Sequence, residues 1–192
     1  GDLVELVGRR SSGRFTIVLA ALAAATQAGE IAALVDLGDH LDPQRAGDGG
    51  VELDRLLWVR PQRSKAALAA AEMLITCGFS LVVIDLGTPP IPGGRGQAGS
   101  WIRLLRAVKE YRTALLLSTP YAVSGTAATF RIETENEATH WLGHGRMPRL
   151  LSTCATRLRL HRARRRPAPC DKGEERRLVW RAPVSIARGE SD

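Results

Sequence analysis

Gly8-Arg9-Arg10-Ser11-Ser12-Gly13-Arg14-Phe15-Thr16 is the stretch whose reading decides the fold. It lies between a short apolar segment, Leu3-Val4-Glu5-Leu6-Val7, and a long alanine-rich run that begins at Arg14. A strand, a glycine-bounded turn and a helix in that order is the setting of a phosphate-binding loop, written G-x-x-x-x-G-K-[ST]. Gly8 and Gly13 have the required spacing. The two positions that carry the chemistry differ: Arg14 stands where the pattern has lysine, and Phe15 where it has serine or threonine. Phe15 has no oxygen to offer a magnesium ion. Arg14 keeps a positive charge, but its planar fork is larger than an ammonium group. Thr16 is one residue too late for the hydroxyl.

Working outward, the apolar runs alternate between two periods. Arg14 to Ala28 reads as a helix with Gly29 as the residue after its end. Ile31 to Asp36 is a continuous apolar run, the pattern of a strand buried on both faces. Asp42-Pro43 is an N-cap followed by a proline at the first helical position. Leu56 to Val59 is a third strand. Lys65 to Cys77 is a helix capped by Ser64 and closed by Gly78. Leu81 to Asp85 is a fourth strand, and residues 87–99 are a Gly/Pro-rich loop. Trp101 to Arg112 is a helix capped by Ser100, with Trp101, Leu104, Leu105, Val108 and Tyr111 on one face. Ala114 to Ser118 is a fifth strand. Cys77 reads as a buried residue of its apolar run, and Trp101 and Tyr111 read as core.

Strand–helix alternation with short links predicts a parallel sheet with right-handed crossovers. After residue 128 the pattern changes. Thr129–Thr134 and Thr156–His161 alternate, and Arg177–Ile186 offers a last strand interrupted by Pro183. These read as antiparallel strands with one wet face. The expected fold class is therefore α/β. The domain reading is a core over residues 1–160, with 161–192 a basic hairpin or extension of the same domain.

Charge is distributed unevenly. The net charge is +7, yet residues 146–192 hold 13 Lys/Arg against 5 Asp/Glu, which leaves 14 against 15 in the first 145. A basic final quarter calls for an acidic partner, nucleic acid or protein. Arg157, Arg159, Arg162, Arg164, Arg165 and Arg166 are the residues expected to make those contacts. The three cysteines, Cys77, Cys154 and Cys170, have no metal-type spacing and suit a reducing compartment. Arg9, Arg10 and Arg14 ahead of an apolar run imitate a signal peptide, but the preceding strand and the run's shortness argue against one. No metal site is expected: His40, beside Asp39 and Asp42, reads as a cap or surface residue, and His140 and His144 lack a third ligand.

Taken together, the ordered motifs resemble the RecA family. Leu3–Gly8 with Ser11-Ser12-Gly13 is similar to that family's first strand and P-loop. Val35-Asp36 with His40-Leu41-Asp42-Pro43 is similar to its second strand and following turn, and Leu56-Leu57 with Pro61 to the end of its third. Leu81–Asp85 looks like its Walker B strand, and Leu150–Leu160 like the strand after its second DNA-binding loop. Gly38 falls at the position of the family's catalytic glutamate. Ser118-Thr119-Pro120-Tyr121 falls where a polar γ-phosphate sensor is carried. The resemblance thus implies a RecA-like P-loop core with an eroded site: Gly8, Arg9, Arg10, Ser11, Ser12, Gly13, Arg14, Phe15, Thr16 and Asp85, with Asp85 a strand-end acid paired with Arg14. It further resembles the ImuA group, related to the SulA division inhibitors. That implies a cytoplasmic, nucleoid-associated, non-enzymatic accessory factor of damage-induced mutagenic translesion synthesis, without a cofactor. Its implied partners are an ImuB-type inactive polymerase scaffold, an error-prone C-family DNA polymerase, and RecA. Alternatives are a single-stranded DNA-binding or RecA-filament-modulating protein, a SulA-like division inhibitor and a divergent ATPase.

Overall fold

The computed structural model describes residues 1–87, 98–143, 150–163 and 175–181. In chain order the elements are β1 (Leu3–Val7), α1 (Arg14–Gln27), β2 (Ala32–Asp36), α2 (Pro43–Asp48), a 3-10 turn (Leu53–Arg55), β3 (Leu56–Val59), α3 (Ser64–Thr76), β4 (Leu81–Asp85), α4 (Ala98–Tyr111), β5 (Ala114–Thr119), β6 (Phe130–Leu142), β7 (Leu150–Ala163) and β8 (Glu175–Arg181). They form one sheet in the order β3-β2-β4-β5-β1-β6-β7-β8. β1 to β6 run parallel, while β7 and β8 add on antiparallel. The mainly parallel α/β sheet expected from the strand–helix alternation is the sheet observed.

The continuous apolar runs are explained by helices on both faces of the sheet. Ala33 and Val35 of β2 face a core shared with α3 and α4, which includes Leu68, Ile75, Trp101 and Val108. The alternate residues Ala32 and Leu34 face a second core with Val18 and Leu22 of α1. Strand β6 is longer than its alternating pattern suggests, because the pattern is broken by shifts of register near Arg131, Glu137 and His140.

Asp42 caps α2 as read, accepting the backbone N–H of Gln44 and Arg45, with Pro43 at the first helical position. Gly29 follows α1 with φ 84°, and its N–H reaches the Thr26 carbonyl. Other expectations are corrected. Ser64 is the first residue of α3 and is buried; Arg63 is the N-cap and gives no side-chain bond. Ser100 lies inside α4, which starts two residues earlier. Cys77 is exposed, because it falls on the outer side of the helix end rather than on the face carrying Leu74 and Ile75. Trp101 is core at 1% exposure, but Tyr111 is 45% exposed at the last turn of α4. The last strand starts at Glu175 rather than Arg177, and 182–186 lie outside the described residues. So do most of the 87–99 loop, His144, Cys170 and the 164–174 turn. No helix among the described residues is long and apolar enough to cross a membrane.

Candidate functional site

The carboxyl ends of the parallel strands meet the amino end of α1, and that junction collects the chemistry-bearing residues. Strand register sets three of them side by side: Asp36, Asp85 and Ser118 are aligned across β2, β4 and β5. Such a crest, at the strand ends of an open α/β sheet, is where ligands of this architecture bind.

The loop from Gly8 to Gly13 is fixed by close contacts with β6 and β7. The Gly8 N–H reaches the Thr119 carbonyl, and the Ser12 N–H closes a turn on Arg9. A Cβ at Gly8 would lie 1.9 Å from Thr134 Oγ1, so no larger residue fits there. Gly13 is the N-cap of α1 in the left-handed region, φ 82°, and a Cβ there would meet Thr156 Oγ1 at 2.0 Å. Ser12 Oγ lies 2.7 Å from Thr134 Oγ1, and Asn136 Nδ2 donates to the Ser11 carbonyl at 3.1 Å. Thr16 sits half-buried in α1, away from the cavity wall.

Arg14 opens α1 and turns inward, 7% exposed. Its Nη2 donates to the Gly87 carbonyl at 2.8 Å and lies 3.7 Å from Asp85 Oδ1. Its Nη1 is buried without a hydrogen-bond partner. Burial pulls the Arg14 guanidinium below its ordinary range, and Asp85 works the other way. The pairing of Arg14 with Asp85 read from the sequence is thus present, as a near contact rather than a hydrogen bond. Asp85 itself is fully buried. Ser118 Oγ donates to its Oδ1 at 2.5 Å, and His40 Nδ1 lies 2.7 Å from its Oδ2.

His40 is exposed, as a surface residue would be, but the sequence did not show its partners: its ring is tied to Asp85 and packs edge-on against Phe15, centroids 5.7 Å apart. Its backbone N–H donates to Asp36 Oδ1, and Leu41 N–H and Trp58 Nε1 donate to Asp36 Oδ2. The bond to Asp85 raises the His40 pKa, against the lowering by burial and by Arg14. A signal was available: Asp36 and Asp85 both end strands, and His40 lies one turn past Asp36. Asp36, His40 and Asp85 offer ligand atoms within 4.8 Å of one another. The protein's own donors already engage both carboxylates, and Arg14 stands beside them as a cation.

Arg9, Arg10, Ser11, Ser12, Arg14, Phe15 and His40 line a cavity of about 350 Å³ in front of α1. Arg9 and Arg10 are exposed and have no ion-pair partner among the described residues. A second cavity, about 750 Å³, lies on the other side of the loop, where Arg9 and Arg10 meet Tyr121, Glu133, Glu135, Arg157 and Arg159.

The arginines expected to meet an acidic partner are placed less freely than the sequence suggested. Arg157 pairs with Glu137 at 3.4 Å, and Arg159 Nε donates to Glu175 at 2.9 Å. Arg177 shares Glu137 at 2.9 Å. Arg157, Arg159 and Arg177 are thus each matched by an acid on another strand, which the linear charge count does not reveal. Arg162 lies on β7 opposite Arg131. Arg164, Arg165 and Arg166 lie outside the described residues.

Comparison with known proteins gives the same direction as the geometry. The RecA N-terminal domain matches residues 1–93. Protein RecA of Frankia alni is 37% identical over 138 residues, 68% of this chain and 38% of that protein. Protein RecA of Kineococcus radiotolerans is 42% identical over the same coverage, and Protein RecA of Clavibacter michiganensis subsp. michiganensis is 43% identical over 93 residues. The chain therefore spans less than two-fifths of the length of these relatives. In sequence, the chain is thus similar to the RecA N-terminal domain over residues 1–93 and to part of Protein RecA of these bacteria.

Proposed function

We propose that this chain is a non-catalytic RecA-like accessory protein of damage-induced translesion synthesis, working through protein contacts with an ImuB-type polymerase scaffold, with an error-prone C-family polymerase and RecA as further partners. The observation that supports the absence of catalysis is the position of Arg14. Its guanidinium bridges from α1 to the Gly87 carbonyl and faces Asp85, in the crevice where phosphoryl transfer needs a lysine and a metal ion. Phe15 brings a ring against His40 rather than a hydroxyl, and Gly38 offers no carboxylate. Positioning and charge stabilisation supply most of phosphoryl-transfer catalysis, so losing three such groups removes turnover.

The adaptor role rests on the ImuA resemblance together with that loss. The pairing of Arg157 and Arg159 with acids makes the β7 arginines a weaker nucleic-acid surface than their sequence suggests, which favours protein contact over DNA binding. Two measurements test the reading. Phosphate release from Mg-ATP, with and without single-stranded DNA, should stay at background. Gel filtration with an ImuB-type partner should give co-elution. Turnover that Arg14→Ala abolishes would overturn the first part, and separate elution the second.

A further inference from the structure

We propose that β8 is a self-pairing edge: two copies of this chain join through it, antiparallel and about a two-fold axis at Leu178, into one continuous sheet. β8 (Glu175–Arg181) ends the sheet, and among the described residues it pairs with β7 alone. An edge strand leaves a row of backbone N–H and C=O groups without sheet partners, ready to pair with another strand. Bulges and shortness usually blunt such an edge, and β8 has neither. Its register against β7 runs from Arg159 to Thr153 without the shifts that break β6. It is seven residues long, against four in β3 at the opposite edge. Glu175 to Val179 are all exposed, with Leu178 at 38% and Val179 at 46%. Pro183, which has no N–H to give, comes in the sequence only after the strand has ended.

The occupant is a second copy because the strand reads as its own complement. In a closed pair the same patch serves on both subunits, so opposite residues are exchanged by the axis. With the axis at Leu178, Leu178 meets Leu178, Arg177 stands opposite Val179, Arg176 opposite Trp180, and Glu175 opposite Arg181. Every residue of the strand is then paired. An acid–base pair closes each end, and no arginine stands opposite another. Moving the axis one residue, to Arg177 or to Val179, sets Arg177 opposite Arg177 or opposite Arg181. Like charges directly opposite each other destabilise a ladder. Glu175 has capacity for the second arginine: Arg159 Nε and Nη2 both donate to its Oε1, and no hydrogen bond among the described residues uses Oε2. Main-chain bonds supply the affinity in such strand addition, and the opposed side chains supply the specificity. A strand pair of this length buries less than a standard interface, so the dimer is a weak one, with a Kd of roughly 10–100 µM.

Sedimentation equilibrium of the full chain, from about 5 to about 500 µM, should show monomers joining into dimers and no larger species. Hydrogen exchange at the two ends of that range should find the amides of Glu175–Arg181 slowed in the concentrated sample and those of Leu56–Val59 unchanged. Leu178→Asp sets two carboxylates on the axis and should raise Kd at least tenfold. Leu178 is exposed in the single copy, so that variant keeps its fold. Arg181→Glu puts acid opposite acid at both ends of the ladder and should raise Kd roughly tenfold, with the bond between Arg159 and Glu175 intact. Adding Glu175→Arg to it restores opposite charges across the axis and should return Kd to within about threefold of the native value. No rescue of that kind can arise inside one copy, because Glu175 and Arg181 are about 20 Å apart along the strand. Urea midpoints show that each variant is folded, and where the double exchange loosens β8, Leu178→Asp and Arg181→Glu carry the test. A chain that stays monomeric throughout overturns the proposal, whatever strand of another protein binds there. So does a dimer whose Kd ignores Leu178→Asp, or whose slowed amides lie elsewhere. None of these results bears on ATP turnover or on co-elution with an ImuB-type partner.

Discussion

Glu5 is a fully buried carboxylate in the middle of β1, and the loop between β5 and β6 is built around it. Its Oε1 accepts the backbone N–H of Val123 at 2.7 Å and of Ser124 at 2.8 Å. Its Oε2 accepts from Arg131 Nε at 2.7 Å, and Arg131 also holds the Gly125 carbonyl. Glu5→Gln keeps the shape and removes the charge. One amide oxygen then serves the two N–H groups, and the amide NH2 points a donor at a donor, Arg131 Nε. Removing one member of a buried ion pair costs about 3–5 kcal/mol. Arg131 is 22% exposed and recovers part of its hydration, so the lower end, about 3 kcal/mol, is the expected loss. For a domain of this size that corresponds to a melting point lower by about 6–12 °C. Urea unfolding measures it, with an unchanged slope showing that the folded state remains compact. Glu5→Leu combined with Arg131→Met should lose less than the sum of the single variants, because the two residues are one interaction. A Glu5→Gln loss below about 1 kcal/mol would refute the reasoning, since it would mean that Arg131 and the two N–H groups find water or other acceptors without cost.

The pH dependence of stability has a definite sign. The bond to Asp85 raises the His40 pKa, so the folded state holds the proton more tightly than the unfolded chain. Its stabilising contribution is complete below the ordinary imidazole value of about 6.5 and is lost as pH rises through the raised folded value. Urea midpoints between pH 5.5 and 8.5 should fall with rising pH, and His40→Gln should flatten that trend. Gly13→Ala puts a Cβ 2.0 Å from Thr156 Oγ1 on a residue with φ 82°, and should cost roughly 2–4 kcal/mol by urea unfolding. Gly38→Glu should destabilise the chain and restore no ATP turnover, because a Cβ at Gly38 would lie 2.7 Å from the Gly87 Cα and from the His40 ring.

How much of this was legible in the sequence depends on the range of the interaction concerned. The strands and helices of the parallel sheet are written in local periods, and Gly8 and Gly13 fix the turn between β1 and α1. Asp42-Pro43 also works within four residues, and the structure matches it atom for atom. Ser64 and Ser100 carry the same capping chemistry on paper, but the helices begin at Ser64 itself and before Ser100. The site needed contacts far apart in the chain. His40 and Asp85 are 45 residues apart, Arg14 and Gly87 are 73, and Ser12 and Thr134 are 122. No local pattern states these pairings, although the shared strand-end positions of Asp36 and Asp85 hint at one. The acids opposite Arg157, Arg159 and Arg177 were hidden for the same reason, since Glu137 meets two of those arginines across strands.

Arg14, Phe15 and Gly38 are coupled to one another in three dimensions. Gly38 and Gly87 cross so closely that neither tolerates a side chain without moving the other, and Leu37 N–H bonds to the Asp85 carbonyl beside them. That crossing holds the Gly87 carbonyl where Arg14 Nη2 reaches it. The same crossing brings His40 over Asp85, where the Phe15 ring packs against it. A carboxylate at position 38 would push these loops apart and break the arginine's bond, whereas a lysine at position 14 would leave Gly87 and Asp85 with a smaller, differently shaped donor. Each of these residues fits the others. Such mutual support is the mark of an arrangement with its own minimum. It follows that changing any one position works against two neighbours at the crest of the sheet.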